Sequence, residues 1–130
     1  QQVETACLEQ HGRDIAAMVT ALVGTYWAAK TARSDVTRAL YRSAAELDTE
    51  ALIEAFGQRV DAATRAMFNT ASDASFAELS LVNTTLLTVI FGTVRSAFER
   101  NLPAAQGSDI HNQLLLMCLS YLAAVKLPAR

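Results

Sequence analysis

The chain has 130 residues, which is enough for one compact domain with its own hydrophobic core. Only 18% of the residues are charged, against about 25% in an average globular protein, while 52% are hydrophobic. The net charge is −2 and the eleven Lys and Arg residues are scattered, which excludes the basic stripe of a nucleic-acid-binding surface. A small domain with so little charge is predicted to contact a partner subunit, an apolar ligand, or both.

Two segments without charged side chains, residues 79–94 and 110–125, are each 16 residues long. A membrane-spanning helix needs about 20 apolar residues, so both segments are interpreted as buried in protein. The sequence shows no signal-peptide pattern, and its two cysteines have no metal-site spacing. We therefore expect a cytoplasmic protein with no membrane partner. Because the first residue is Gln, we expect a fragment or a processed chain.

The pattern along the chain predicts helices and no strands, because five Gly and two Pro occur with almost no alternating β-branched runs. Residues 1–11 are interpreted as the tail of a linker helix that stops near Gly12. A second helix is predicted to begin at Asp14, a favourable N-cap residue, and to end near residues 30–33. Its apolar residues recur at steps of three and four and define one buried face: Ile15, Met18, Val19, Leu22, Tyr26 and Ala29.

Two further helices are predicted in the middle of the chain, a short one capped by Ser34 and a longer one capped by Asp48 that ends near residue 69. Apolar side chains at helical spacing give each of them an inward stripe. The predicted inward residues are Val36, Leu40, Ala44 and Leu47 in the short helix, and Leu52, Phe56, Val60, Ala63 and Met67 in the longer one.

The last third of the chain is predicted to contain two long helices. Ser75 and Glu78 have the spacing of a capping box, which would open a helix over residues 75–102. After a turn at Gly107, a final helix is predicted over residues 108–127. The predicted fold is therefore all-α, an antiparallel bundle of about six helices that forms a single domain over residues 1–130.

Both long helices are apolar on two sides, so both sides must be covered. We expect the spare sides to meet a second copy of the chain, with two helices from each subunit forming a four-helix bundle. The alternative is that the domain's own helices cover both sides. The predicted dimer contacts are Leu81, Thr85, Thr88, Val89, Gly92 and Ser96 in the first helix and Leu115, Leu119 and Leu122 in the second.

Four segments carry a resemblance to a known family: DVTRALYRSA at residues 35–44, FGQRV at 56–60, IFGTV at 90–94 and LLLMCL at 114–119. In this order they resemble the C-terminal domain of TetR-family transcriptional regulators. The resemblance implies a homodimeric repressor that binds a small molecule in this domain. It also implies that DNA is contacted only through an N-terminal helix-turn-helix domain, which is absent from these residues, with the linker helix between the two parts.

Catalytic chemistry has little support in the sequence. His11 and His111 lack the Glu-x-x-His partners of a carboxylate bundle, and no Gly-x-Ser-x-Gly turn or glycine-rich phosphate loop occurs. Glu46, Glu50 and Glu54 stand four residues apart, which is typical of a solvated helix face. We expect no enzymatic activity, no metal site and no cofactor.

A ligand site has better support, because aromatic and thioether side chains on three predicted helices are accompanied by a polar amide, Asn83. A buried amide needs a hydrogen-bond partner, which a ligand or a neighbouring carbonyl would supply. The alternative is that these residues simply fill the core of a helical dimerisation module that binds no ligand. The predicted wall of the pocket for a small, mostly apolar ligand is Met18, Tyr26, Trp27, Phe56, Val60, Met67, Asn83, Leu87 and Phe91.

Overall fold

Five helices are present in the part of the chain that the computed structural model describes, residues 1–32, 36, 39 and 50–129. They are α1 (Gln2–Glu9), α2 (Ile15–Thr31), α3 (Glu50–Phe68), α4 (Leu79–Glu99) and α5 (Ala104–Val125). The all-α prediction is confirmed, with five helices described instead of about six. The short helix predicted after Ser34 lies outside the described residues, apart from Val36 and Ala39.

The arrangement places α2 against α1, α3 and α5, while α4 packs between α3 and α5. The first half of α2 lies in the core, where Met18 and Val19 are both 0% exposed. Two aspartates hold the start of this helix. The carboxylate of Asp14 accepts a hydrogen bond from Ala17 N at 2.7 Å, and that of Asp73 accepts one from Ile15 N at 2.8 Å. The predicted N-cap at Asp14 is therefore confirmed.

The capping box predicted at Ser75 is wrong, because α4 begins only at Leu79 and Glu78 makes no capping bond with its side chain. Ser75 instead pairs with Leu127 in an isolated antiparallel bridge, with N···O distances of 2.9 and 2.8 Å. The Ser75 hydroxyl donates to the carbonyl of Pro128 at 2.8 Å. The hydroxyl and the backbone N–H of Ser75 therefore hold residues 127–128 against the loop before α4.

The turn predicted at Gly107 is also wrong, because this residue lies in the first turn of α5 and donates its N–H to the Pro103 carbonyl at 2.8 Å. The chain reverses earlier, at Asn101, whose φ of 51° is the left-handed conformation that asparagine tolerates better than most residues. The final helix is therefore four residues longer at its start than predicted.

The predictions of an inward side chain at Val36 and Leu52 are wrong, since these are 47% and 72% exposed. In α3 the reason for the error at Leu52 is rotational. Ile53 is two turns before the fully buried Val60 and lies in the same row, whereas Leu52 is turned about 100° away from Ile53.

The inner face of α4 is fully packed, with Ile90 and Val94 both 0% exposed. By length and composition α4 would suffice for a membrane span, with 21 residues and a mean hydropathy of 1.3, but 44% of its most apolar window is buried inside the protein. The apolar composition of α4 is therefore equally consistent with a helix that packs in the core of a folded domain.

Candidate ligand cavity

A cavity of about 550 Å³ lies between α2, α3 and the second half of α4. Its volume falls within the range of about 300–1,000 Å³ that is typical of small-molecule sites. Leu52, one of the residues that line it, is 72% exposed. The described residues that line it are Tyr26, Lys30, Leu52, Ile53, Phe56, Gly57, Thr88, Phe91, Gly92 and Arg95.

Three aromatic rings, one from each helix, form the inner wall of the cavity. The ring centroid of Tyr26 lies 5.0 Å from that of Phe91 and 6.5 Å from that of Phe56, in tilted geometries. Aromatic pairs at these separations favour such arrangements over face-to-face stacking. The three rings thus offer a preformed apolar surface to a bound molecule.

Two glycines contribute to the volume of the cavity, because they have no side chain to fill it. Gly57 in α3 and Gly92 in α4 both line it, and a Cβ built on either would meet no atom within 4 Å. A glycine inside a helix costs about 0.5–1 kcal/mol relative to alanine, and within the single chain neither glycine relieves a steric clash. Their contribution at these positions is open volume beside Phe56 and Phe91.

Two cationic side chains line the cavity as well. The Lys30 ammonium lies 5.2 Å from the ring centroid of Tyr26 and 5.1 Å from that of Phe56, within range of cation–π attraction. Burial lowers the pKa of Lys30, because desolvation penalises its charged form. Arg95 is more exposed, and its Nε donates to Glu99 Oε1 at 2.8 Å.

Of the nine residues predicted to form the pocket, three line this cavity: Tyr26, Phe56 and Phe91. Four others are buried in the core instead. Leu87 is 4% exposed, and the remaining three are 0% exposed: Met18, Val60 and Met67. Trp27 lines a different cavity, of about 430 Å³, where its ring stacks on His111 with centroids 5.0 Å apart. Side chains adjacent along α2 thus point into separate spaces.

Asn83 does not reach the cavity. Its amide nitrogen donates to Asp61 Oδ1 at 2.7 Å and to the Asp61 carbonyl at 3.2 Å, which ties α4 to α3. Its carbonyl oxygen is buried and has no hydrogen-bond partner among the described residues. The amide nitrogen of Asn83 therefore finds its hydrogen-bond partners, a carboxylate and a carbonyl, on a neighbouring helix and needs no ligand to supply them.

The sequence prediction missed Lys30, Ile53, Thr88, Arg95 and the two glycines. One signal was available: a Phe-Gly pair occurs twice, as Phe56-Gly57 in α3 and Phe91-Gly92 in α4, and both pairs face the cavity. The position of Lys30, one turn after Tyr26 on the same helix face, was a second signal.

The outer face of α4 carries Leu81 and Val89, which are 58% and 38% exposed. Thr85 on the same face donates its hydroxyl to the Leu81 carbonyl at 2.8 Å. A shallow groove of about 290 Å³ joins this face to α5, with Gly92 and Ser96 on one side and Ile110 on the other. The face thus combines exposed apolar side chains with small hydroxyl residues in the single chain.

On α5 the open apolar side chains are Leu116 and Met117, at 55% and 49% exposure. Leu122, which the sequence assigned to the dimer contact, is 1% exposed and packs in the chain's own core. Leu115 and Leu119 are partly buried against the same core. The residues of α5 that were predicted to contact a partner thus face the inside of the domain. Met117 of the same helix faces solvent.

Within the described ranges no three His, Cys, Asp or Glu side chains lie close enough together to hold a metal ion. Cys7 and Cys118 are free thiols, both buried in the core.

Both thiols are expected to be inert in the folded domain. Burial raises the pKa of Cys7 to about 11, with a further rise from the Glu4 carboxylate, and burial alone raises that of Cys118 to about 11. At pH 8 about one thiol in a thousand would then be the reactive thiolate. Dithiobis(nitrobenzoate) at pH 8 should label neither cysteine in the native protein and both in denaturant. Rapid labelling of either thiol in the native state would contradict this packing.

Comparison with known proteins gives one match. A family model described as the tetracyclin repressor-like C-terminal domain matches residues 14–122, from the start of α2 to near the end of α5. The matched region includes the whole cavity and the outer face of α4. No curated protein and no solved structure matches the chain.

Proposed function

Because the chain belongs to the TetR family as a tetracyclin repressor-like C-terminal domain, we propose that it is the ligand-sensing and dimerising part of a transcriptional repressor. The family consists of regulators rather than enzymes, and its members are soluble. The observation that carries the proposal is the cavity of about 550 Å³ between α2, α3 and α4. A small, mostly apolar molecule in this cavity would alter DNA binding by an N-terminal domain outside these 130 residues.

The contacts of α1 supply a route from the cavity to that N-terminal domain. Val3 and Cys7 of α1 are 2% and 1% exposed, so the helix is firmly packed on the bundle. Glu4 Oε1 lies 3.5 Å from Arg59 Nε, and Arg59 follows the cavity residue Gly57 by two positions in α3. A shift of α3 around a ligand would therefore be felt by α1, the proposed end of the linker helix.

The ligand would act only through a difference in its affinity for two arrangements of the helices. Coupling between two such sites is typically about 1–3 kcal/mol, which changes the affinity for DNA by about 5- to 150-fold. The net charge of −2 and the lack of a basic cluster leave DNA contact to the N-terminal domain. The cytoplasm, where a repressor meets DNA in a bacterial-type cell, is the proposed location.

The alternative is a dimerisation module that binds no ligand. It is favoured by the filled core around Met18, Val60 and Met67, which leaves no space where part of the pocket was predicted. The two proposals differ in what the remaining cavity does. A test of binding in that cavity therefore separates them.

The test uses N-phenyl-1-naphthylamine, a neutral apolar dye that fluoresces when it leaves water. We expect saturable binding at one site per chain. Gly57→Leu should weaken it by about tenfold or more, since the new side chain occupies cavity volume; tenfold corresponds to about 1.4 kcal/mol. Fluorescence titration of the native and variant chains measures the change.

The matched control is Gly24→Leu. Gly24 is also a helical glycine whose Cβ would meet nothing within 4 Å, but it is absent from the cavity lining. This variant should bind the dye within about twofold of the native chain, a difference below about 0.5 kcal/mol. Absence of saturable binding, or equal affinity in Gly57→Leu and the native chain, would leave the plain dimerisation module as the better description.

A further inference from the structure

A second cavity, of about 430 Å³, lies where the ends of α2 and α4 meet the start of α5. Its volume also falls within the range of about 300–1,000 Å³ that is typical of small-molecule sites. None of its described lining residues is shared with the first cavity, the one between α2, α3 and α4. The two cavities are therefore separate spaces that could be occupied independently.

Aromatic rings from all three helices contribute to this second cavity. The rings of Trp27 in α2 and His111 in α5 are nearly parallel, at 8°, with centroids 5.0 Å apart. The ring of Phe98 in α4 is tilted by 45° against that of Trp27, at a centroid distance of 6.4 Å. Parallel rings at such a separation are offset, so each leaves part of its face uncovered. These faces offer stacking area to a flat aromatic molecule.

Gly107 keeps space open beside the indole ring. A Cβ built at this position would lie 3.8 Å from Trp27 Cζ2, which is an ordinary van der Waals contact. A larger side chain would have to extend from there into the volume that the cavity occupies. A substitution at Gly107 can therefore fill the cavity without a clash at its first carbon.

The ring nitrogens of the stacked pair have no hydrogen-bond partner in the part of the chain that the structure describes: neither the Trp27 indole N–H nor an imidazole nitrogen of His111 is paired. The Thr31 hydroxyl, also in the wall, donates to the Trp27 carbonyl at 2.9 Å, so its oxygen is left as an acceptor. A neutral imidazole offers one donor and one acceptor. The wall thus presents donors and acceptors together, which suits a hydroxyl group because a hydroxyl does both.

The described wall of the second cavity carries no formal charge, since it includes no Asp, Glu, Lys or Arg. An ion that entered would lose its hydration without gaining an opposite charge, and this cost is much smaller for a neutral molecule. The cavity is therefore complementary to a molecule that is flat, uncharged and able to exchange hydrogen bonds.

From the stacked pair and its unused ring nitrogens we propose that the second cavity binds a neutral hydroxyaromatic molecule, of the phenol class. Its ring lies against Trp27 and His111, and its hydroxyl donates to the His111 imidazole. A site that hydrogen-bonds a ligand hydroxyl discriminates against the analogue that lacks it, because the polar groups of the site are then left without a partner. The inference goes beyond the proposed function, since it concerns a different cavity and does not require a ligand in the first.

The experiment follows the indole N–H of Trp27 by ¹⁵N–¹H NMR of the native 130-residue chain. Because Trp27 is the only tryptophan, the spectrum has one indole cross-peak, which reports on this cavity directly. At pH 8.0, where a phenol is un-ionised, 4-methylphenol should shift this peak saturably. It should bind about fivefold more tightly than toluene, the gain typical of one hydrogen bond. The affinity of 4-methylbenzoate, which is ionised, should be lower than that of 4-methylphenol by about tenfold or more.

One pair of variants assigns the binding to the second cavity. Gly107→Leu occupies cavity volume and should weaken 4-methylphenol by about tenfold or more. The matched control is Gly57→Leu, which places the same side chain in the first cavity and should leave the affinity within about twofold of the native chain.

A second pair assigns the binding to the imidazole. His111→Phe keeps a ring in the stack but removes both nitrogens, so it is expected to fold even where Gly107→Leu does not. It should weaken 4-methylphenol by about fivefold and leave toluene within about twofold. The control is His11→Phe, because His11 is exposed and absent from the cavity lining. It should change neither affinity.

The outcomes separate the two cavities. If 4-methylphenol does not shift the indole cross-peak saturably, this inference is overturned, while dye binding in the first cavity would leave the proposed function standing. If 4-methylphenol displaces N-phenyl-1-naphthylamine over the same concentration range, it occupies the first cavity, which also overturns the second site. If His111→Phe weakens 4-methylphenol and toluene equally, the imidazole does not bind the hydroxyl and the chemical assignment is overturned. A loss confined to 4-methylphenol would support it.

Discussion

Val89→Arg is expected to convert the proposed homodimer into a monomer at micromolar concentration. Val89 is 38% exposed on the outer face of α4, where Leu81 is 58% exposed in the single chain. In a two-fold dimer the same patch meets its own copy, so each interface would receive two arginines. An unpaired buried charge costs about 3–5 kcal/mol, enough to separate the subunits. Light scattering coupled to size-exclusion chromatography measures the mass directly.

Leu8→Arg is the matched control, because Leu8 is a still more exposed apolar residue, at 69%, but lies on α1. This variant should remain a dimer. Gly92→Arg would be a poorer test, since Gly92 also lines the cavity and the substitution would affect ligand binding as well. A native chain that is already monomeric at tens of micromolar, or a dimeric Val89→Arg variant, would contradict the proposed interface.

Helix α2 shows what the sequence was able to predict. Its cap at Asp14, its inward row and its end near residue 31 all follow from local rules, namely side-chain capping and the 3.6-residue period. The two-sided apolar character predicted for α4 depends on the same period, and Ile90 lies on its buried side. Such features depend only on residues within one helix, so they can be predicted from the local sequence.

Predictions failed where the cause lies far away along the chain. The Ser75 hydroxyl and backbone bind the segment at 127–128, more than 50 residues later, and are therefore lost to the capping box. The end of α4 was also placed too late, but for a local reason: the chain reverses at Asn101, and asparagine marks a turn less strongly than glycine or proline. Only the competition for Ser75 is beyond the reach of local propensity.

A cavity does lie between the three helices from which the pocket wall was predicted, but only three of the nine predicted residues line it. Tyr26 and Phe91 were identified by their chemistry, whereas Lys30 was read as the end of a helix. Asn83 was chosen as a polar anchor for the ligand, and its amide nitrogen instead binds Asp61 of α3. Whether a buried polar group faces a ligand or a neighbouring helix depends on the rotation of both helices, which one sequence does not specify.

The largest expected loss of stability concerns Leu122, which the sequence assigned to the partner contact and the structure buries at 1% exposure. Leu122→Ala should lower the free energy of unfolding by about 2–5 kcal/mol, the usual range for a leucine truncated in a core. Met117, at 49% exposure on the same helix, is the comparison. In a folded monomer Met117→Ala should change stability by less than about 0.5 kcal/mol, because a solvent-facing truncation leaves no cavity.

Both substitutions should be measured by urea unfolding in the Val89→Arg background, so that dimerisation does not add to the stability of either variant. In the native background Met117→Ala should instead weaken the dimer, because Met117 is exposed in the single chain and we place it in the contact. Equal losses for Leu122→Ala and Met117→Ala in the monomer would mean that α5 is rotated differently from the structure. The interface residues first predicted from the sequence would then be the better description of that helix.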